Sequence, residues 1–395
     1  MRIVFATSLV PTLPTDSGFE IANRAIVECL IRLGHDVQII GFQWPERETQ
    51  FPDYTHTLAE LDVKTDNASG KQKLVWLAQA VRSNTTFAAA KLQVLQHGAF
   101  GKALDALKPF DALIVNGIPI AGAFEEALSR YPFIYVAHNQ EALAAEHAAE
   151  NAAGMVEKLM YQRETRQLAK LEARLAKTAK SVLAFTSDDA DAMTKLGARA
   201  SHHLPLVTPP TGEIQDRAGA RPIAFDAGMI GTWTWTQNRI GLEWFLQSVM
   251  PLMPEHSRIA VAGSLPSGFP QRDKRVTLLG RVLDAKAFIR SCRVSILCAR
   301  AGTGIQLKTL ETFELGLPAV ATASSLRGIG EPLPDNVIEA DTAEAFAAAL
   351  KQHIVDVRTG SARDMDGTAF RAHQMSRMDA VMADALNVFT KSMSA

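Results

Sequence analysis

Residues 300–322, RAGTGIQLKTLETFELGLPAVAT, decide which fold the chain adopts. The apolar run VSILCA ends at residue 299 and predicts a buried strand, and Gly302 and Gly304 then mark a loop. A helix is predicted from residue 307, and it ends at a Gly-Leu-Pro that leads directly into another apolar strand. Strand, glycine loop, helix and strand in this order are typical of a parallel α/β sheet.

The same stretch contains the residues of an anion-binding loop. Glycines let backbone amides approach a diphosphate, and the start of a helix adds N–H donors and a positive dipole. Lys308 can neutralise a phosphate, and Glu311, about one turn later on the same face, can accept hydrogen bonds from ribose hydroxyls. The alternative is a tight turn followed by a solvated lysine and glutamate. The positions of Lys308 and Glu311 in the chain, shortly after the glycine loop, favour a nucleotide site.

Length and composition limit the class of protein. A chain of 395 residues suits two α/β domains, and a net charge of −1 argues against a nucleic-acid partner. Three scattered cysteines form neither a metal-binding pattern nor a disulfide framework, which favours a reducing, cytoplasmic location. The short apolar run at the N-terminus predicts a first strand rather than a secretion signal, and no apolar stretch of about 20 residues predicts a membrane span.

Strands and helices alternate along most of the chain. Residues 209–221 are rich in Pro, Gly and polar residues without periodicity, so they are the predicted linker. An N-terminal Rossmann-like domain is therefore expected at residues 1–208 and a second at 222–365. A last helix, at 366–395, is expected to pack back on the first domain. The predicted fold class is α/β, with two parallel sheets facing across a cleft.

Several segments resemble the retaining GT-B glycosyltransferases of glycosyltransferase family 4. Residues 300–322 are similar to the family's strand, GSG loop and LK-x-LE helix. Other segments similar to family motifs lie at residues 14–40, 135–146, 171–193, 228–251 and 276–282.

The resemblance implies transfer of a sugar, such as a hexosyl group, from a nucleotide-sugar to a glycan, lipid-linked or other hydroxyl acceptor. It also implies retention of anomeric configuration and no cofactor or metal. His138, Lys308 and Glu311 take the catalytic positions. The donor-binding positions are Gly18, Thr232, Trp233, Asn238, Arg239, Gly302, Thr303, Gly304, Lys308 and Glu311.

The chain departs from the family at two phosphate-binding places. Thr303 stands where many members have the first glutamate of a pair, so only Glu311 remains. The usual Arg and Lys after the second domain's first strand are also missing. Trp233 and Trp235 lie in the segment that occupies this place. Both can line a base or sugar pocket, or can pack between domains.

Polar residues close two predicted strands of the first domain, at the edge where parallel sheets bind ligands. His138 follows the strand FIYVA, and its imidazole can donate to a sugar hydroxyl or to the departing phosphate; a capped loop histidine is the alternative. Asn116 and Gly117 close another strand. They have two possible roles, contact with the acceptor or formation of an ordinary turn. Asn139, next to His138, is placed on the acceptor side.

Two D-x-D patterns, at residues 189–191 and 364–366, are interpreted as structural rather than metal-binding. The basic region at residues 71–102 has two interpretations: it lies on anionic lipid, or it is a core helix with a solvated cationic face. The first implies a peripheral protein on the inner face of a membrane. Two other functions stay open, a nucleotide-sugar epimerase on the same fold and a non-catalytic sugar-nucleotide-binding protein.

Overall fold

The chain forms two compact units, Met1–Pro209 with Met375–Ala395, and Pro210–Gln374. The computed structural model describes all residues except 14–16, 66–67, 97, 153, 210–220, 272, 331 and 395. The linker predicted at residues 209–221 therefore lies outside the described residues, apart from Pro209 and Arg221.

A parallel sheet of seven strands forms the centre of the first unit, in the order β5-β3-β1-β6-β7-β8-β9. The strands of this unit are β1 (Arg2–Leu9), β2 (Thr12–Leu13), β3 (Asp36–Gln43), β4 (Glu48–Thr49), β5 (Thr55–Glu60), β6 (Ala112–Asn116), β7 (Phe133–Ala137), β8 (Ser181–Ala184) and β9 (Ser201–His203). The two short strands β2 and β4 pair separately and antiparallel. Strand β1 is buried from Ile3 to Leu9, as a central strand covered on both faces must be.

Nine helices precede the second unit: α1 (Gly18–Arg32), α2 (Gly70–Arg82), α3 (Phe87–Leu92), α4 (Ala99–Ala106), α5 (Ile118–Ala123), α6 (Glu125–Leu128), α7 (Glu141–Glu150), α8 (Met155–Thr178) and α9 (Ser187–Lys195), counted over the described residues. Their apolar faces share a core with the sheet, and Leu168, Leu171 and Leu175 form the stripe of α8. Two neighbouring residues, Thr186 and Ser187, are of types that commonly cap a helix at the start of α9. Thr186, not Ser187, caps this helix, because its hydroxyl accepts from the Asp189 amide at 3.0 Å.

The second unit contains a parallel sheet of six strands, in the order β12-β11-β10-β13-β14-β15. These strands are β10 (Phe225–Ile230), β11 (Ile259–Ala262), β12 (Val276–Gly280), β13 (Cys292–Leu297), β14 (Ala319–Ala321) and β15 (Val337–Glu339). The helices are α10 (Thr236–Trp244), α11 (Ala285–Arg290), α12 (Leu307–Glu314) and α13 (Ala343–Thr359). A π-helical turn, Phe245–Val249, follows α10 directly. Two parallel-sheet, Rossmann-like units confirm the predicted fold class.

The last helix, α14 (Gly367–Ser394), begins in the second unit and ends in the first. Met378, Met382 and Phe389 are buried at helical spacing, and Asp379 forms an ion pair with Arg32 of α1. None of the helices, over the part of the chain that the structure describes, has the length and apolarity needed to cross a membrane.

Candidate functional site

Each sheet has a switch point, where neighbouring strands continue to opposite sides of the sheet. In the second unit it lies between β10, which ends at Ile230, and β13, which ends at Leu297. In the first unit it lies between β1 and β6, which end at Leu9 and Asn116. Ligands of open α/β sheets bind outside the carboxyl ends of strands at such points. The predicted site residues of the second unit follow β10 and β13, and His138 and Asn139 follow β7, the neighbour of β6.

The glycine loop of the second unit connects β13 to α12. Gly302 and Gly304 have φ angles of 100° and 74°, which residues with a side chain rarely adopt. Gln306 precedes α12, and within the described residues no side chain caps this helix. The Thr309 N–H donates to the Gln306 carbonyl at 2.9 Å, and the N–H groups of Leu307 and Lys308, for which the described residues offer no acceptor, are available to an anion.

Lys308, in the first turn of α12, is a half-buried cation. Its Nζ lies 5.5 Å from the centre of the Trp233 ring. No carboxylate of the described residues pairs with it, and burial lowers the pKa of the ammonium. Trp233 is buried, and its indole N–H donates to the Ala262 carbonyl at 2.7 Å. The ring therefore supports Lys308 from a fixed position in the core.

Glu311 lies one turn after Lys308 and is also half-buried. Burial raises the pKa of its carboxyl group, and the positive charge of Lys286 partly opposes this effect. No donor of the described residues bonds to the Glu311 carboxylate, although buried carboxylates normally have hydrogen-bond partners. Two acceptor oxygens are thus available beside the glycine loop.

Two further polar groups lie in or against this loop. Thr303 Oγ1 is buried, and within the described residues no hydrogen-bond partner reaches it. Arg327, in the segment after β14, donates from Nη1 to the Gly302 carbonyl. The sequence analysis missed Arg327, because no spacing rule connects it to a loop 25 residues earlier.

The residues that follow β10 mostly contact one another. The Asn238 amide donates to the Thr232 carbonyl at 3.1 Å, and Arg239 lies 3.6 Å from the Glu243 carboxylate. Trp235 is exposed. Gln237, at the start of α10, is the residue that lies against Gly302, with its Cβ 3.6 Å from where a Cβ on that glycine would be. The start of α10 and the glycine loop are therefore adjacent.

His138 of the first unit is joined to a buried polar network at the switch point. Its Nε2 lies 2.9 Å from Asn116 Oδ1, and Asn116 Nδ2 donates to Asn23 Oδ1 at 2.6 Å. Asn23 Nδ2 in turn donates to the Leu9 carbonyl at 2.8 Å and to the Thr7 hydroxyl at 3.1 Å. The network therefore ends on a backbone acceptor.

The backbone acceptor at the end of this network determines which ring nitrogen of His138 carries the proton. A carbonyl oxygen only accepts, so Asn23 must present its NH₂ group to Leu9 and its oxygen to Asn116. Asn116 must then present its own oxygen to His138, and Nε2 carries the proton. Nδ1 is left with a lone pair and can accept a hydrogen bond from a ligand.

Two aromatic rings enclose the imidazole of His138. Phe19 stacks on it with 4.6 Å between ring centres, and Phe185 meets it edge-on at 4.8 Å. Burial lowers the pKa of His138 to about 3, so the ring is neutral at physiological pH. Nε2–H is therefore used internally, and donation from Nδ1, as the predicted donor role of His138 would need, requires a proton that burial opposes.

Gly117 leaves room for the Phe19 ring. Gly18 is the first residue of α1, after the capping Ser17. Gly117 has a φ angle of 84°, and a Cβ on it would lie 3.1 Å from the Phe19 ring. Position 117 therefore requires glycine for two reasons: its positive φ angle, and the lack of space for a side chain beside Phe19.

The loop after β7 is held by two buried carboxylates that the sequence analysis did not select. Glu172 Oε1 accepts from the Glu141 amide at 2.7 Å and from the Ala142 amide at 3.3 Å, and Asp189 accepts from the Gln140 side chain at 3.0 Å. Burial raises the pKa of Glu141 and of Glu172 to about 7. Asn139 Oδ1 is buried, and no partner reaches it within the described residues.

The two D-x-D patterns have structural contacts. Asp189 accepts from the Thr186 hydroxyl at 2.7 Å, Asp364 pairs with Arg221 at 2.8 Å, and Asp366 accepts from the Thr368 amide at 2.9 Å. Among the described residues, no three or more His, Cys, Asp or Glu side chains form a group that could hold a metal ion.

Comparison with known proteins identifies the class of this fold. Residues 224–356, which include the glycine loop, match the family described as Glycosyl transferases group 1. No curated protein is similar enough in sequence to count as a relative.

Solved structures match both units over almost the whole chain. A sucrose-phosphate synthase from Thermosynechococcus elongatus has a TM-score of 0.62 at 15% identity, over 100% of this chain and 98% of that one. Anabaena HepE, solved with UDP and glucose, has a TM-score of 0.56 at 14% identity, over 98% and 99%. WaaG, a glycosyltransferase of lipopolysaccharide biosynthesis, has a TM-score of 0.56 at 14% identity, over 98% and 100%. The fold is that of the GT-B glycosyltransferases.

Proposed function

We propose that this protein transfers a sugar, such as a hexosyl group, from a nucleotide-sugar to an acceptor hydroxyl. The observation that carries the proposal is Lys308, a half-buried ammonium with no counter-ion among the described residues, in the uncapped first turn of α12. Leaving a buried charge unpaired is costly, so a site of this kind favours an anionic ligand. UDP bound to HepE, a protein of the same fold, supports a nucleoside diphosphate as that ligand.

The donor contacts follow from the positions of the second-unit residues. The diphosphate would accept from the N–H groups around Gly302 and Gly304, from the Thr303 hydroxyl and from Lys308. The Glu311 carboxylate would accept from the ribose hydroxyls. Arg327 adds a cation at Gly302, and it could replace the family's usual basic residues, which are missing after the first strand of the second unit. These groups stabilise negative charge as the diphosphate leaves.

Transfer would proceed with retention of anomeric configuration and without a metal. In this mechanism the bond from the anomeric carbon to the diphosphate oxygen breaks, through an ion pair with oxocarbenium character. The acceptor hydroxyl then attacks the same face, and its proton passes to the departing phosphate oxygen. The protein positions the reactants and stabilises the leaving group, while Lys308 and the helix N-terminus supply the positive charge that a metal ion gives in other transferases. Activity is therefore expected to survive a chelator. Loss of activity in EDTA, restored by magnesium or manganese, would contradict this proposal.

His138 would hold a sugar hydroxyl rather than protonate the leaving group. Its Nδ1 lone pair accepts, and the network through Asn116 keeps the ring in one orientation. The buried Oδ1 of Asn139, which no donor of the described residues reaches, provides a second acceptor next to it in the chain. Asn116 itself is fully buried, so we propose that it positions His138 and does not contact the acceptor.

The acceptor would be a glycan or a lipid-linked sugar at the cytoplasmic face of a membrane. The three cysteines are buried free thiols, which fits a reducing compartment.

A two-stage measurement tests the proposed function. Calorimetry with UDP, GDP, ADP and dTDP identifies the base, and the matching nucleotide-sugars are then incubated with the protein alone. Slow hydrolysis of a donor supports a transferase, whereas interconversion of the sugar without an acceptor indicates an epimerase. Nucleotide binding without turnover, with or without acceptors, indicates a binding protein. Absence of binding to all four nucleotides contradicts the proposal.

A further inference from the structure

Asp226 is a buried carboxylate at the amino end of the second unit's sheet. It is the second residue of β10, and only 1% of it is exposed. Its Oδ2 accepts from the Arg258 amide at 3.0 Å, just before β11 begins. The glycine loop and Lys308 follow the opposite, carboxyl end of this sheet. Asp226 therefore belongs to a part of the second unit that the nucleotide site does not use.

Three arginine side chains surround the Asp226 carboxylate. Arg358 Nη2 donates to Oδ1 at 2.6 Å, Arg293 Nε lies 3.6 Å from the same oxygen, and Arg258 Nε lies 4.0 Å from Oδ2. Arg258 precedes β11 and Arg293 belongs to β13, and these two strands flank β10 in the sheet. Arg358 lies in the last turn of α13. The fold thus brings together charged residues that are up to 132 positions apart in the chain.

Asp226, Arg258, Arg293 and Arg358, which we call the Asp226 cluster, have an excess of two positive charges. Among the described residues, no second Asp or Glu side chain forms an ion pair with these arginines. The Arg293 Nε is buried, and no hydrogen-bond acceptor reaches it within the described part of the chain. The side chains of Arg258 and Arg358 are 59% and 40% exposed, so a dissolved ion can reach the cluster.

Structural roles account for only part of the Asp226 cluster. Arg358 neutralises Asp226 and also places a cation in the last turn of α13, where the helix dipole favours it. Arg258 and Arg293 lie before or on strands, which have little net dipole, and they approach a carboxylate that is already paired. Like charges held this close repel one another. An additional anion would remove this repulsion and would supply the acceptor that the Arg293 Nε lacks.

We propose that the Asp226 cluster binds a phosphate dianion, either as the free ion or as part of a phosphate ester. A dianion matches the two uncompensated charges, and planar guanidinium groups donate pairs of hydrogen bonds that suit phosphate oxygens. The cluster is separate from the nucleotide loop, because Arg293 and Leu297 are about 13 Å apart along β13 and the loop begins beyond Leu297. The inference does not depend on the proposed transferase activity.

Calorimetry of the full chain with inorganic phosphate, at pH 8 and constant ionic strength, tests the site. Phosphate is titrated into the wild type and into Lys308→Ala, in which the nucleotide loop lacks its cation. Both proteins should retain a phosphate site of similar affinity. Glycerol 3-phosphate distinguishes the two sources of the ligand. Tighter binding of this ester than of inorganic phosphate assigns the site to phosphate esters, and equal or weaker binding assigns it to the free ion.

The double variant Arg258→Gln with Arg293→Gln leaves Arg358 and Asp226 as a neutral pair. It should bind phosphate at least about tenfold more weakly, because charged hydrogen-bond partners are lost. Its Tm in phosphate-free buffer of low ionic strength should not be lower than that of the wild type, because repulsion between like charges is removed. Phosphate should raise the Tm of the wild type more than that of the variant.

Two further variants complete the experiment. Arg258→Gln alone keeps the 2.6 Å bond between Arg358 and Asp226 and should weaken phosphate binding severalfold. Arg82→Gln with Arg199→Gln, at two exposed positions of the first unit, is the matched control and should bind phosphate normally.

Four results would overturn the inference. They are absence of phosphate binding by the wild type, its loss in Lys308→Ala, normal phosphate binding by both variants of the cluster, and a markedly lower Tm of the double variant in phosphate-free buffer. The second result would place the ion at the nucleotide loop. The last would show that all three arginines are needed to compensate Asp226, so that no excess charge is left for an anion.

Discussion

The ammonium group of Lys308 lies over the indole ring of Trp233, with 5.5 Å between Nζ and the ring centre. The Trp233 N–H is bonded to the Ala262 carbonyl, so the ring is fixed and the ammonium has a defined position above it. A cation–π contact compensates burial of the charge only in part. The described residues give Lys308 no carboxylate, and an anionic ligand would complete its surroundings.

Lys308→Ala should weaken a nucleoside diphosphate much more than the nucleoside. Loss of a charged hydrogen-bond partner costs about 1.5–3 kcal/mol, or roughly ten- to a hundredfold in affinity. Calorimetry on the folded variant measures both ligands. Lys351→Ala, at an exposed position of α13, is the matched control and should bind both ligands normally. Equal weakening of nucleoside and diphosphate by Lys308→Ala would contradict a phosphate contact.

Glu311→Gln should weaken nucleoside and nucleoside diphosphate to the same extent, because both contain the ribose. The expected loss is roughly tenfold or more, since an amide presents one acceptor oxygen where the carboxylate presents two. A 2′,3′-dideoxy nucleotide should bind the wild type and the variant about equally. This comparison is a double-mutant cycle with the ligand as the second partner. Additive losses from the variant and the dideoxy ligand would show that Glu311 does not contact the ribose.

His138 should remain neutral, with the proton on Nε2, from pH 8 down to about pH 4, because burial lowers its pKa to about 3. Nitrogen-15 NMR of the imidazole distinguishes the two tautomers and follows titration. In the unfolded chain the imidazole takes up its second proton near pH 6.5. The contribution of neutral His138 to the stability of the fold is therefore complete above that pH and decreases as the pH drops towards 3. Titration of the folded protein near pH 6.5 would contradict the network.

His138→Ala should lower turnover by roughly tenfold, because the Nδ1 hydrogen bond to the sugar hydroxyl is lost, with little change in nucleotide affinity. His256→Ala, at an exposed position of the second unit, is the control. Normal turnover of His138→Ala would leave His138 a structural loop residue.

Glu141→Gln should stabilise the protein more at pH 8 than at pH 5. Burial and the charge of Glu172 raise the pKa of Glu141 to about 7 from 4.5, so the folded state keeps a proton that the unfolded state has lost. Stability therefore decreases as pH rises from about 4.5 to 7, and an amide removes that dependence. Thermal unfolding should show a gain of the order of 1 kcal/mol at pH 8. Glu146→Gln, exposed on the same helix, should leave the pH dependence unchanged.

The sequence predicted the sheets well, because buried parallel strands are continuous apolar runs. The apolar runs at residues 112–116 and 133–137 predict buried strands, and they match β6 and β7. Caps were less certain, since Thr186 and Ser187 are both good capping residues and only backbone geometry separates them. The π-helical turn after Trp244 has no sequence pattern that predicts it.

The contacts of the site were harder to predict than its position. His138 and Asn116 are close because β6 and β7 are neighbours, but the chain to Asn23 and Leu9 joins residues more than a hundred positions apart. The apolar residues around Trp76 were ambiguous for another reason. Periodicity shows that a helix has an apolar face, but not whether that face meets the core or the solvent. Helix α2 has one apolar face that is buried and one that is exposed.

The contact between Lys308 and Trp233 also provides an optical signal. Indole emission responds to a charge held over the ring, and Trp233 has no freedom to turn away because its N–H is bonded within the core. An anion that draws the ammonium aside, or neutralises it, should shift the intrinsic fluorescence of this one tryptophan. Replacing Trp233 with phenylalanine identifies its share of the emission. The protein would then report ligand occupancy without a label, an acceptor or a turnover assay.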